Sequence, residues 1–210
     1  PNAIQWAHAY PITYPAVIRN WRQLFRDPEL PFCIIEMAPW DGVRPLTKFI
    51  DSTSPFVRDV HFRTFINWPH TGLVVTMDCG ALNNMHPLDK KPVGGRAALW
   101  ALSEVYGLGD RHWTGPLYRA LEIKGNKAVI RFHSDGLALP LGLKDPAGKV
   151  DGFIIAGADY AWQEAQAAIV GDTVEVWSDA VPEPVAVRYA WEDAQGMVNL
   201  IVNAKGLPAS

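Results

Sequence analysis

GLVVTMDCG (residues 72–80), followed by NNMHPLDKKPVGGRAALWAL (residues 83–102), is the stretch that decides the fold. The first segment is an apolar run closed by a glycine and reads as a buried strand. In and just beyond the second, Val93, Ala97, Trp100, Ala101 and Val105 trace one helical face between Lys90 and Tyr106. Gly107 and Gly109 end it. Strands separated by helices imply parallel pairing and an α/β layer. His86 falls after the strand and before the helix. Open α/β sheets bind ligands beyond the carboxyl ends of their strands, and a general base is well placed there. A surface or purely structural histidine fits the same spacing.

Working upstream, TYPAVIRNWRQLFRD (13–27) predicts a helix with Pro15 at its first position and Val17, Trp21, Leu24 and Phe25 on one apolar face. DPELP stops it, and PFCIIEMAP (31–39) reads as a central strand bounded by prolines. Residues 40–71 read as irregular, with Trp40, a DSTSP turn and FVRDVHFRTF as a short helix. Beyond about Thr114 the pattern changes. YRALEIKGNKAVIRFH (118–133) is two strands joined at Gly125-Asn126, a hairpin turn. DPAG (145–148) and VGDT (170–173) are further turns, and FIIAG, TVEVWS, VAVRYAW and VNLIVNA are short strands. The expected fold class is α/β: a parallel-sheet layer over residues 1–112, then a smaller, antiparallel all-β module over 113–210, with the boundary near 107–116.

With 210 residues, 49% of them hydrophobic, the chain can bury one full core, or a core and a small satellite. A net charge of -3, with no basic cluster denser than DKK at 89–91, argues against a nucleic-acid partner. No apolar run reaches the ~18 residues of a membrane span. The first residue is Pro1, so a mature, trimmed or truncated chain is expected, and the lack of a signal peptide carries little weight. Cys33 and Cys79 lie in apolar runs and are expected as buried free thiols in adjacent strands rather than a disulfide. The nine tryptophans are either core residues or platforms for stacking on sugar rings.

His86 would need a nucleophile to serve, and the chain offers none. There is no G-x-S-x-G elbow. Ser52 and Ser54 lie in a turn, Ser103 in mid-helix, and Ser134 and Ser178 in the β module; each reads as an ordinary hydroxyl. The two cysteines are too apolar in setting to be thiolates. His8, His61, His70, His86, His112 and His133 are scattered without the spacing of a metal site, so no metal and no cofactor is expected. Asp41, Asp78, Asp151 and Asp159 have turn or loop explanations, and a carboxylate pair of the glycosidase type stays open at this level.

Around His86 the sequence resembles the sialate O-acetylesterase family, a branch of the SGNH hydrolases. The family pattern is a strand ending in Asp-x-Gly, then Ile-His-Pro, a lysine, Val-Gly and an arginine-bearing helix. Here it stands as Asp78-Cys79-Gly80, Met85-His86-Pro87, Lys91, Val93-Gly94 and Arg96. TYPAVIRNW (13–21), LPF (30–32), TGLVVTMD (71–78), GP (115–116), AVRYAW (186–191) and NAKGLPAS (203–210) also agree in order, so the likeness runs nearly end to end. It implies a partial SGNH-type layer, with the nucleophilic serine in a block upstream of this chain. Pro1-Asn2-Ala3 looks like the tail of a second upstream block, Gln-Gly-Glu-Ser-Asn-Ala.

The resemblance implies acyl transfer. His86 takes the proton of a serine supplied by the enzyme's own N-terminal segment, and the serine attacks an acetyl carbonyl while donors hold the oxyanion. The substrate implied is an acetylated sugar, 9-O-acetyl sialic acid foremost, and a secreted, periplasmic or lysosomal-type compartment is favoured over the cytoplasm. One departure is Asn84, where many relatives carry an aspartate that orients the imidazole. An asparagine can orient the ring but cannot stabilise the imidazolium, a loss of about 10⁴-fold in the serine-protease triad; either Asp78 substitutes, a backbone carbonyl does the orienting, or the protein is slow. His61, in Arg58-Asp59-Val60-His61, is a second departure, standing where relatives often have glutamine. A non-catalytic carbohydrate-binding or scaffolding module and an acetylxylan-type esterase are the rival readings. A sheet without its N-terminal strands would also expose an apolar edge, so a second segment or nicked partner chain is expected beside this one.

Overall fold

The computed structural model describes residues 8–39, 54–81, 84, 86, 88–109, 112–133, 140–191 and 199–210. Pro1-Asn2-Ala3, Trp40, Asp41, Ser52, Asn83, Met85, Pro87 and Ser134 lie outside the described residues.

The first helix, α1, spans Tyr10–Phe25, a turn earlier than Pro15 suggests. A proline does stand at the helix start, but it is Pro11; Pro15 sits inside, at the cost of one main-chain hydrogen bond. The inward face also differs from the expected one. Ile18 and Arg22 are buried, while Val17, Trp21, Leu24 and Phe25 are 49%, 52%, 77% and 59% exposed. The apolar periodicity fails because the inward position next to Ile18 is a cation with its own partners. Arg22 Nε donates to Leu30 O at 3.1 Å and Nη2 to Pro69 O at 2.7 Å. Those bonds satisfy Nε and Nη2, as burial demands.

Strands β1 (Phe32–Ile35) and β2 (Thr71–Val74) pair in parallel, Phe32 opposite Thr71 and Ile35 opposite Val74. Between them lies α2, Ser54–Asn67, longer than the short helix expected. After β2 comes α3, Lys91–Trp100, continued by a π-helical turn over Ala101–Val105. Gly72 in β2 is required by packing: a Cβ there would overlap the indole of Trp100. Cys33 is half-buried in β1, whereas Cys79 is buried in the loop beyond β2, and both are free.

The remaining strands are antiparallel. β3 (Leu117–Lys124) and β4 (Lys127–His133) form the hairpin, turning at Gly125 with φ +62°. With β5 (Gly142–Leu143), β6 (Phe153–Ala156), β7 (Gln163–Glu164), β8 (Gln166–Val170), β9 (Thr173–Trp177), β10 (Ala186–Tyr189) and β11 (Ile201–Val202) they build three sheets, ordered β3-β4-β9-β8, β10-β6-β7 and β11-β5. Ile130, Phe132, Phe153, Ile155, Val174 and Val176 fill the core between them. A second core joins Ile34, Leu73, Val75 and Met77 of the parallel layer to Ala190 and Leu200 of the β region. Among the described residues the architecture is thus a mixed one, a two-stranded parallel sheet with helices followed by antiparallel sheets. No helix among them is long and apolar enough to cross a membrane.

Candidate active site at the carboxyl rim of the parallel sheet

Both parallel strands end in polar residues locked to each other. Past β1, Glu36 N–H donates to Val74 O at 3.0 Å. The Thr76 hydroxyl donates to Glu36 O at 2.8 Å, and Thr76 N–H to the Glu36 carboxylate at 3.2 Å. Glu36 is buried, which pushes its carboxyl up to about 7 against the pull of Arg58 and the Thr76 N–H. A glutamate ending an apolar strand was the sequence signal for this residue, and apolar patterning passes over it.

Two residues further, Asp78 meets Arg96 of α3 in a bidentate pair, Oδ1 to Nη1 at 2.6 Å and Oδ2 to Nη2 at 2.7 Å. Arg96 Nη1 also donates to Val75 O at 2.7 Å, and Lys144 of the β region reaches Asp78 Oδ2 at 2.8 Å. Burial opposes ionisation of Asp78, yet the hydrogen bonds and charges of Arg96 and Lys144 win and hold it well below the usual carboxylate range. The clamp fixes the loop leaving β2 to the helix that follows.

His86 sits on that loop and is exposed. Its main-chain N–H donates to Asn84 Oδ1 at 2.8 Å, an Asx turn. Asn84 therefore acts on the backbone of His86. Asp89 Oδ1 accepts the Lys91 N–H at 3.0 Å at the start of α3, a second side-chain oxygen that fixes main chain beside His86.

The other sequence candidates lie elsewhere. Ser54 is buried at the start of α2, Ser103 donates to Glu104 at 3.2 Å in the π-helical turn, and Ser178 follows β9. Burial pushes the thiols of Cys33 and Cys79 up to about 11, away from thiolate chemistry. His61 is buried, tilted against the Tyr14 ring with centroids 4.8 Å apart and Nε2 3.2 Å from the Tyr10 hydroxyl. Burial and the neighbouring Arg58 pull it down to about 4, so it is neutral at physiological pH. Among the described residues no group of three His, Cys, Asp or Glu is placed to hold a metal. A cavity of about 430 Å³ lies between α2 and the β region, and Glu36 and Met77 reach it from the rim.

No family model matches the chain, and no curated protein does. Among solved structures, a novel carbohydrate acetylesterase from Xanthomonas citri superposes with a TM-score of 0.86 at 35% identity. The match covers 96% of this chain and 45% of that protein's. This chain is similar to a little under half of an acetylesterase.

Proposed function

We propose that the chain is the histidine-bearing part of a carbohydrate O-acetylesterase. It takes an acetylated sugar, 9-O-acetyl sialic acid or a relative, by serine–histidine acyl transfer within an SGNH-type layer. The observation that carries this reading is the 35% identity and 0.86 TM-score to a carbohydrate acetylesterase, together with an exposed imidazole beyond the carboxyl end of β2.

In this mechanism a serine from a segment outside these residues gives its proton to His86 and attacks the acetyl carbonyl. Donors around that serine hold the oxyanion. His86 then protonates the leaving sugar oxygen, and a water deprotonated by His86 releases acetate. Asn84 positions His86 through the main chain, and the Asp78–Arg96 clamp fixes the loop that carries both. Residues 1–112 form the catalytic layer and 113–210 the accessory module that braces it. A place for the serine-bearing segment is consistent with two features. Among the described residues β1 pairs on one side only, and Val17, Trp21, Leu24 and Phe25 of α1 face outward.

The test is His86→Ala in the protein carrying its serine. Acetate release from an acetylated sugar or a p-nitrophenyl ester is expected to fall by at least about 10³-fold. Activity retained within about threefold removes His86 from the mechanism.

A further inference from the structure

The guanidinium of Arg188, on β10, is held by rings. Its centre lies 4.1 Å from the Trp162 ring centroid, 4.4 Å from that of Trp191 and 5.9 Å from that of Phe56. Its Nη1 is buried with no hydrogen-bond acceptor, and among the described residues no carboxylate forms an ion pair with it. Among the described residues, Asp59 acts on it as an opposing charge, and Asp59 is already bound to Arg63 at 2.7 Å. Rings on a guanidinium hold its plane, and the edge away from the buried Nη1 keeps its donors in the rigid fork that matches a carboxylate. Burial here works against the cation, whose pKa is lowered, so an arriving anion would restore lost solvation.

Arg188 borders the 430 Å³ cavity between α2 and the β region, a volume within the range of small-molecule sites. Its walls include Phe62, Ile66, Leu121 and Val187. On the polar side Arg58, Arg63 and Arg188 face Asp59 and Glu36, and burial disfavours the charged form of Glu36. Positive charge therefore prevails over an apolar floor. We propose that this cavity binds a small monocarboxylate with an apolar body, its carboxylate on the Arg188 fork and its body against Phe62, Ile66 and Leu121. The site is separate from His86, which does not line it, and it does not depend on the esterase reading.

Isothermal titration of the purified protein with hexanoate and with hexan-1-ol tests it. Hexanoate is expected to bind at least about tenfold more tightly than the alcohol, the size of one lost charged hydrogen-bond pair. Arg188→Met, which keeps an unbranched chain between the indoles, is expected to erase that preference; Arg188→Lys, which keeps charge without the fork, is expected to reduce it severalfold. Phe62→Trp, which fills the cavity, is expected to abolish hexanoate binding while the protein still melts cooperatively, and His86→Ala to leave binding unchanged. Equal affinity for acid and alcohol, binding of neither, or a preference that survives in Arg188→Met each overturns the proposal.

Discussion

Asp78→Asn isolates the clamp that ties the loop after β2 to α3. The side chains of Asp78 and Arg96 are only 9% and 11% exposed, so the pair is screened little by solvent. Asparagine keeps one acceptor but turns an NH2 group toward the guanidinium, leaving a buried cation short of its counter-charge. Breaking one partner of a buried, hydrogen-bonded pair costs about 3 kcal/mol or slightly more, which for a chain of this size lowers the melting midpoint by roughly 6–12 °C. The pH dependence follows from the depressed folded pKa. Its contribution is fully present above about pH 4, the unfolded value, and is lost as pH falls toward the folded one. At pH 3 the gap between wild type and variant should have narrowed by roughly 1 kcal/mol. Lys144→Met serves as the control: Lys144 is 51% exposed, and its loss should cost less than about 1 kcal/mol. Urea unfolding followed by tryptophan fluorescence at pH 7 and pH 3 reads all three values. A variant within 1 kcal/mol of wild type at pH 7, or a gap that does not change with pH, refutes the clamp.

Glu36→Gln tests the other end of the rim. Because the folded carboxyl is raised to about 7, its contribution is present below about pH 4.3 and lost as pH rises through 7. Glutamine does not titrate and still accepts the Thr76 N–H, so the variant should gain roughly 2–4 kcal/mol on wild type between pH 4 and pH 8; parallel stability curves would contradict this. Gly72→Ala drives a methyl into the buried Trp100 ring and should cost about 1–3 kcal/mol in the same denaturation assay. Gly95→Ala, where a Cβ meets nothing within 4 Å in mid-helix, should instead gain about 0.5–1 kcal/mol.

The hairpin at Gly125 and the strands Phe32–Ile35 and Thr71–Val74 were legible because local pattern and tertiary role coincide there; the helix after His86 was legible as a helix, although of its expected apolar face Trp100 is buried and Val105 is exposed. Where they part, the sequence misleads. Arg22 turns inward since carbonyls at Leu30 and Pro69 wait for it, which no apolar periodicity announces, and the face of Trp21 and Leu24 that looks like core lies outside. His86 was visible through its position after a strand. The ties of Asp78 to Arg96 and Lys144 were not, because they bridge 18 and 66 residues of chain. Arg188 was invisible for the same reason: its aromatic neighbours come from α2, from the loop before β7 and from the end of β10.

Those long-range ties bear on what the β region is for. Ile34, Leu73, Val75 and Met77 are covered by Ala190 and Leu200. The buried Arg58 gives Nη2 to Ala190 O at 3.1 Å, and Phe56, Phe62 and Phe65 of α2 meet the rings of Trp191, Tyr118 and Trp113 edge-on. Cutting the chain near residue 112 would strip every one of these contacts from α2 and the rim at once, leaving a buried guanidinium without its carbonyl and an apolar sheet face in water. Among the described residues the parallel layer has two strands, and a layer that small has no reserve of core to absorb that loss. The antiparallel sheets are therefore the other wall of the layer that carries His86, and the Lys144–Asp78 bond is a polar tie between that wall and the histidine loop.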